Sequence, residues 1–228
     1  GAGLTGSVAS PVLVGHGLNN APKFALYKLY SGGDTNSTSN DWWYYFEEKY
    51  GDFREIRAVL NANSSYGYQD GNNALRLSLP IANKKCLAMT SGDFGAASGK
   101  KYVVYAWEEI PQYSKFGVYR GNGDAGGEVV YTGFKPAFVI IQRILNNSNN
   151  ANLDWAVFVD SARNPTNMRG MHNLYPGLNN ADGSESGTID FLSSGFRVRT
   201  SANRFNESNA VIFYAAWAES PFTNSTAK

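Results

Sequence analysis

The strand ending YAWEEIP at 105–111 is written again as AAWAESP at 215–221. Both copies place Ala, Trp, one residue, Glu, one residue and Pro in the same order. Residues 86–111 lie over 196–221 at a constant offset of 110 (196 − 86), so that Thr90-Ser91 falls on Thr200-Ser201 and Cys86 on Phe196. Upstream, HGLNNAPKFALYK (16–28) parallels TGFKPAFVIIQR (132–143), and DWWYYF (41–46) parallels DWAVFV (154–159), which pairs Trp42 with Trp155. A repeat of this length is too long for a solenoid and matches a duplicated, domain-sized unit. The expected organisation is therefore a first β repeat over 1–114 and a second over 115–228, sharing one joint sandwich or forming two.

The local pattern is β throughout. FALYKLY, WWYYFEEKY, ALRLSLPI, KYVVYAW, EVVYTGF, AFVIIQRI, DWAVFVD, TIDFLSS, FRVRT and AVIFYAAWA are short and rich in β-branched or aromatic residues. Glycine- and asparagine-rich turns such as QDGNN, GNGDAGG and PGLNNADGSESG separate them. In FRVRT, Phe196, Val198 and Thr200 fall on one face, with Arg197 and Arg199 on the other. One stretch is a helix candidate: DFREIRAVLNA (52–62) spaces Phe53, Ile56, Val59 and Leu60 at helical intervals behind Asp52, although the corresponding SARNPTNMRGMHNLYPG of the second copy reads as loop. The fold class expected is all-β, a jelly-roll-like antiparallel sandwich built from two homologous halves.

Alternation also assigns the tryptophans. Val103, Tyr105 and Trp107 share a face, and the proline after each Trp-x-Glu ends the pairing. Trp42, Trp107, Trp155 and Trp217 are expected as core anchors, because an indole contributes a large apolar area when buried. In DWWYYF that leaves Trp43 and Tyr45 on the opposite face, as candidates for an interface, a sugar-stacking platform or a second face buried beneath a covering loop.

The chemistry-bearing residues are sparse. The two histidines, His16 and His172, accompany no G-x-S-x-G elbow. Cys86 is the single cysteine, so no internal disulfide forms, and it is expected as a buried strand residue. GNGDAG (121–126) matches G-x-G-x-x-G, but Glu128 to Tyr131 follows as a strand where a dinucleotide fingerprint needs a helix. Its glycines are expected to supply a turn. Glu108 and Glu109 are adjacent on a strand and point to opposite faces, as do Glu47 and Glu48, so neither pair flanks one glycosidic bond. Asp70, Asp124, Glu128, Asp182 and Glu185 sit in loops without the order of a Ca²⁺ loop. No catalytic residue, metal or cofactor is expected. A formal net charge of +1 with no basic stripe points away from nucleic acid, and no apolar run reaches the length of a membrane-spanning helix. The opening GAGLTGSVASPV has neither Met nor the features of a signal peptide, so the chain is expected to be processed, renumbered or part of a longer one.

The run YVVYAWEEIPQYSKFGVYRGNG (102–123), with VVYTGFKPAFVIIQR (129–143) and DWAVFVDSARNP (154–165), resembles a module of bacteriophage virion proteins, common in tail fibres and surface proteins of marine and cyanobacterial phages. The shared elements are Trp107 to Glu109, Phe116-Gly117-Val118-Tyr119, Gly121-Asn122-Gly123, Gly133 to Val139, and Trp155 to Arg163. The first copy departs from it: no Gly-Asn-Gly precedes GLNNAP, and EEKYGDFREIR replaces DSARNP. The resemblance implies a concanavalin A-like jelly roll and a non-catalytic, oligomeric structural component located in the virion. Its implied partners are copies of itself and other virion proteins, with a host surface glycan as a further candidate. A capsid decoration protein and a glycan-binding, lectin-like domain are the alternative readings.

Overall fold

The computed structural model describes residues 12–31, 42–46, 56–59, 86–89, 101–145, 156–163, 167, 171–176, 183–185 and 188–220. The architecture is all-β, with every described strand pair antiparallel. The described residues divide into two compact units between Glu108 and Glu109, six residues before the 114/115 boundary expected from the sequence. The strand ALRLSLPI lies outside the described residues.

The first unit holds β1 (Val12–Gly15), β2 (Phe24–Ser31), β3 (Trp43–Phe46), β4 (Ile56–Val59), β5 (Cys86–Met89) and β6 (Lys101–Trp107). One sheet runs β4-β3-β2-β6 and the other is the pair β1-β5. Ala25, Tyr27 and Tyr45 of the larger sheet pack with Leu87 of β5, flanked by Trp43, Tyr102, Val104 and Ala106. Residues 56–59 correct the helix expected over 52–62: they form β4 and pair with β3, Ile56 opposite Phe46 and Val59 opposite Trp43. A short apolar run fits either period, and the open side of β3 decides between them by supplying ladder hydrogen bonds.

The second unit holds β7 (Ser114–Arg120), β8 (Val129–Tyr131), β9 (Pro136–Leu145), β10 (Val157–Asp160), β11 (Met171–Asn173), β12 (Gly183–Glu185), β13 (Ile189–Leu192), β14 (Gly195–Val198), α1 (Asn203–Asn206) and β15 (Val211–Ala218). Its sheets run β10-β9-β15-β7, β13-β14-β8 and β11-β12. The first two pack face to face. Val139, Ile141, Ile212, Tyr214 and Ala216 of one sheet meet Val130, Ile189, Phe191, Phe196 and Val198 of the other. The FRVRT alternation holds, with Phe196 and Val198 buried and Arg197 and Arg199 outside. Gly117 on β7 faces Tyr214 on β15, and a Cβ there would lie 2.8 Å from the tyrosine Oη. The Phe-Gly-aromatic element thus leaves room for a ring to cover the glycine.

One pairing scheme occurs in both units. Phe24 stands between Phe46 and Trp107, with Ala25 between Tyr45 and Ala106. Phe138 stands between Asp160 and Trp217, with Val139 between Val159 and Ala216. The ring pair agrees too: Phe24–Trp107 and Phe138–Trp217 each have centroids 5.5 Å apart and planes at 32°. Ahead of β2 and β9, Gly17 and Gly133 both take positive φ, 74° and 87°. Counting from these glycines, Gly15 opposite Cys86 corresponds to Tyr131 opposite Gly195.

These registers shift two correspondences by one residue. Trp43 opposite Tyr27 matches Val157 opposite Ile141, so Trp42 corresponds to Ala156 and not to Trp155, which lies outside the described residues. Leu87, and not Cys86, matches Phe196: Leu87 is buried and Cys86 is half-buried. A one-residue slip exchanges the two faces of a strand, so these assignments invert rather than blur.

Candidate functional site

Most of the residues that stand out as chemistry-bearing make hydrogen bonds or ion pairs within their own unit. Glu108 is buried and accepts the backbone N–H of Asn20 at 2.6 Å. Glu109 pairs with Lys115, and its counterpart Glu219 pairs with Lys135 at 2.6 Å. Both ion pairs are solvent-accessible, and such pairs contribute about 0–1 kcal/mol, so they finish the strand ends without anchoring them. His16, in the first unit, accepts the Leu18 N–H on Nδ1 at 3.1 Å. His172 is exposed on β11 of the second. Asp160 accepts the Arg163 backbone N–H at 2.8 Å and its Nε–H at 2.6 Å. Burial raises the Asp160 pKa, but the Arg163 hydrogen bonds and charge together lower it below its ordinary value. Among the described residues, no group of three His, Cys, Asp or Glu side chains is placed to share a metal ion. Asp70, Asp182, Glu47 and Glu48 lie outside the described residues.

GNGDAG is a latch onto α1. The buried Asn206 side chain donates to Asn122 Oδ1 at 2.8 Å and to the Asp124 carbonyl at 2.7 Å, and accepts the Asn122 N–H at 2.9 Å. Gly121 runs against the next residue of that segment, where a Cβ would lie 2.1 Å from the Glu207 carbonyl oxygen. Gly123 supplies the positive φ of 74°. Tyr119 ties the same helix down by donating to the Phe205 carbonyl at 2.8 Å, and burial pushes its hydroxyl pKa far up. Arg143 and Glu207 form an ion pair with little solvent access beneath the latch.

The aromatic residues give a different result. Tyr45 is buried, 1% exposed, and Trp43 packs against the same interior cluster. Of the three alternatives for this pair, the buried face is the one observed: Trp43 and Tyr45 face the interior of the first unit. Trp42, Tyr105 and Trp107 line the second face of the sheet. Trp42 and Tyr105 have centroids 6.1 Å apart with planes at 28°, and Tyr105 and Trp107 are 6.3 Å apart at 30°. The three rings form a stepped row, with Tyr105 51% exposed and the two indoles half-buried. The Lys28 ammonium stands 5.5 Å from the centroid of Trp42. Trp42 and Trp107 are thus not anchors of the sandwich interior. Trp217 is likewise half-buried on the second face of its sheet, packed between Phe116 and Phe138.

The row is specific to the first unit. By register, Tyr105 corresponds to Ala215, Val103 to Phe213, Lys28 to Gln142 and Trp42 to Ala156. All four counterparts are 0% exposed. The difference is local: Tyr105 is exposed where Ala215 is buried, while Phe24, Tyr44 and Phe46 on the same face of the first unit are 0% exposed. The signal was readable in the alignment as Tyr105 against Ala215, once the face was assigned correctly. Among the described residues, the second unit includes two shallow grooves. One, of about 400 Å³, is lined by Tyr119, Arg120, Glu128, Tyr131 and Tyr214. The other, of about 460 Å³, is lined by Glu109, Gln112, Ser114, Lys115 and Thr132.

No curated protein and no solved structure matches the chain. A family model described as "Domain of unknown function (DUF7483)" matches residues 2–221. That match spans nearly all of the sequence, both units included, and the chain belongs to this family of domains of unknown function.

Proposed function

We propose that the chain is a non-catalytic structural and attachment module of a phage virion, one copy in an oligomeric surface assembly such as a tail fibre. In this reading the two units are homologous halves of a jelly-roll-like design. The observation that carries it is the contrast at equivalent positions: Tyr105 is 51% exposed on the first unit and Ala215 is 0% exposed on the second. A scaffold that holds an exposed aromatic ring on a strand suits attachment, since a preformed aromatic contact costs little ordering entropy. The repeated Trp-x-Glu-x-Pro ending supports the same reading, because its residues serve strand pairing and strand ends in both places.

The test is location and mass. Antibodies raised against the recombinant chain should decorate particles at a discrete surface structure in electron microscopy. The purified chain should show the mass of a homo-oligomer in light scattering. A chain that is monomeric at high concentration and absent from particles would overturn the proposal. Decoration spread over the whole capsid shell would instead identify a capsid decoration protein.

A further inference from the structure

We propose that Asn122 is a deamidation site gated by α1. While the latch is closed, Asn122 keeps its amide. Once Asn122 has reacted with water in an opened chain, the latch no longer closes.

Asn122-Gly123 is the one Asn-Gly dipeptide in the sequence. Asparagine before glycine is prone to deamidation, because no side chain shields or restrains the glycine nitrogen. That nitrogen gives up its proton and attacks the asparagine Cγ. A nitrogen–carbon bond forms, the bond from Cγ to the amide nitrogen breaks, and ammonia leaves. Water then opens the cyclic imide at either carbonyl, giving aspartate or isoaspartate. Nothing is oxidised or reduced, and water is the one co-reactant.

The fold ties both reacting groups to α1. The Gly123 N–H donates to the Asn206 carbonyl at 2.8 Å. Asn122 Oδ1 accepts from Asn206 Nδ2 at 2.8 Å and from the Asp124 N–H at 2.9 Å. The nucleophile must therefore release one hydrogen bond and the carboxamide two before they can meet. Asn122 and Gly123 are exposed to the water the reaction consumes, whereas Asn206 is 0% exposed. The reaction accordingly waits on Asn206 and not on solvent.

Opening of this segment is a local event. α1 is four residues long, and Ala202 gives its N-terminus no side-chain cap. A helix so short is unstable by itself, and segments of this kind open at a lower cost than the whole fold. What holds it is Phe205, 0% exposed, and the bond from Tyr119 to the Phe205 carbonyl.

The isoaspartyl product does not fit back. It routes the chain through the former side chain and adds a backbone carbon between Asn122 and Gly123. Just before that point the register is tight. The Gly121 N–H donates to the Ala210 carbonyl at 3.0 Å, and the Gly121 carbonyl accepts the Asn209 N–H at 2.8 Å. A Cβ on Gly121 would lie 2.1 Å from the Glu207 carbonyl oxygen. With no slack at Gly121, the added carbon carries the Gly123 N–H away from Asn206.

The experiment incubates the full chain in mildly alkaline, heavy-oxygen water, with and without urea, beside a synthetic peptide of residues 118–128. Peptide-mapping mass spectrometry follows Asn122. The peptide and the urea-unfolded chain should deamidate at one rate and take up heavy oxygen. The folded chain should be slower by about tenfold or more, the scale of a local opening. Asn206→Asp keeps the acceptor for the Asn122 N–H and removes both Nδ2 donations. It should bring the folded rate toward that of the peptide, with unchanged circular dichroism establishing that the variant folds. Lys135→Gln, at a solvent-accessible ion pair of the same unit, should keep the wild-type rate. In deamidated chain recovered from urea, amide hydrogen exchange at Gly123 and Asn209 should exceed that of the unreacted chain. A folded chain that deamidates as fast as the peptide overturns the proposal. So does an Asn206→Asp rate equal to wild type, or an unfolded chain whose Asn122 keeps its amide. Deamidated chain with wild-type exchange at both amides overturns it as well, because the reaction would then leave the latch intact.

Discussion

β6 of the first unit and β15 of the second carry the same Trp in the same register, yet their surroundings differ. β15 is central, with β9 on one side and β7 on the other. β6 is the terminal strand of its sheet among the described residues. Val211 to Ala216 are all buried, so exposure does not alternate along β15. On β6, Tyr105 can keep a large, half-wet ring because nothing of the described sheet lies beyond it.

That contrast can be tested position by position. The largest effect is expected at Gly195, whose counterpart is Cys86. A Cβ on Gly195 would lie 2.0 Å from the Val130 carbonyl oxygen, so Gly195→Ala should destabilise the second unit by about 3 kcal/mol or more. Cys86→Ala, at a position that already carries a side chain, should cost about 1 kcal/mol or less. Denaturant titration of both variants measures the gap, and equal costs would break the proposed correspondence.

Next in size is the buried ion pair. Arg143 occupies the position of Leu29 in the first unit. Arg143→Leu alone should cost about 3 kcal/mol, because it strands the Glu207 carboxylate. Adding Glu207→Leu should recover much of that loss, as a chemical unfolding series on the three variants would show. A double variant no better than the single would mean that Glu207 is held by other groups.

The tryptophans should behave as a matched pair. Trp107→Ala and Trp217→Ala each remove a half-buried ring with one equivalent phenylalanine partner. Each should cost about 2–3 kcal/mol, since each also meets a second ring, Tyr105 at Trp107 and Phe116 at Trp217. Thermal melts of the two variants check this, and a large cost at one position with none at the other would contradict the shared scaffold.

The smallest effect concerns pH. Asp160 occupies the position of Phe46, so acid should act on one unit and spare the other at this point. Its pKa is lowered in the folded protein. The stability it contributes is therefore fully present above its unfolded value of about 3.9 and is lost as pH falls through the folded one. With both partners of the pair partly wet, the contribution is about 1 kcal/mol or less. Asp160→Asn should flatten that part of the acid limb in melts recorded below pH 5.

The strands, the antiparallel pattern and the repeated Trp ending were legible in the sequence because period-2 alternation and turn residues are local signals. The faces were not. Trp107 and Trp217 lie on the side away from the interior cluster that alternation alone assigned to them, and Trp43 and Tyr45 exchanged roles with Trp42. Alternation says which residues share a face; only the partner sheet says which face is inside. The register slips at Trp42 and Cys86 have the same origin, since one residue gained or lost in a loop is invisible to a gapless alignment. β4 was hidden for another reason: IRAV is short enough to satisfy helical and extended spacing alike, and its pairing partner lies ten or more residues away in the chain. The Gly-Asn-Gly turn was legible as a turn, but its dependence on Asn206, more than eighty residues later, could only be seen in the fold.

The most direct measurement of the shared scaffold is proton–proton contact at the two indoles. In spectra of the chain with selectively labelled aromatic residues, Trp107 should show contacts to Phe24 and Tyr105, and Trp217 should show contacts to Phe138 and Phe116. The backbone of Ala106 should lie opposite Ala25, and that of Ala216 opposite Val139. Finding the two indoles against unrelated strands, or either pair displaced by a residue, would contradict the account.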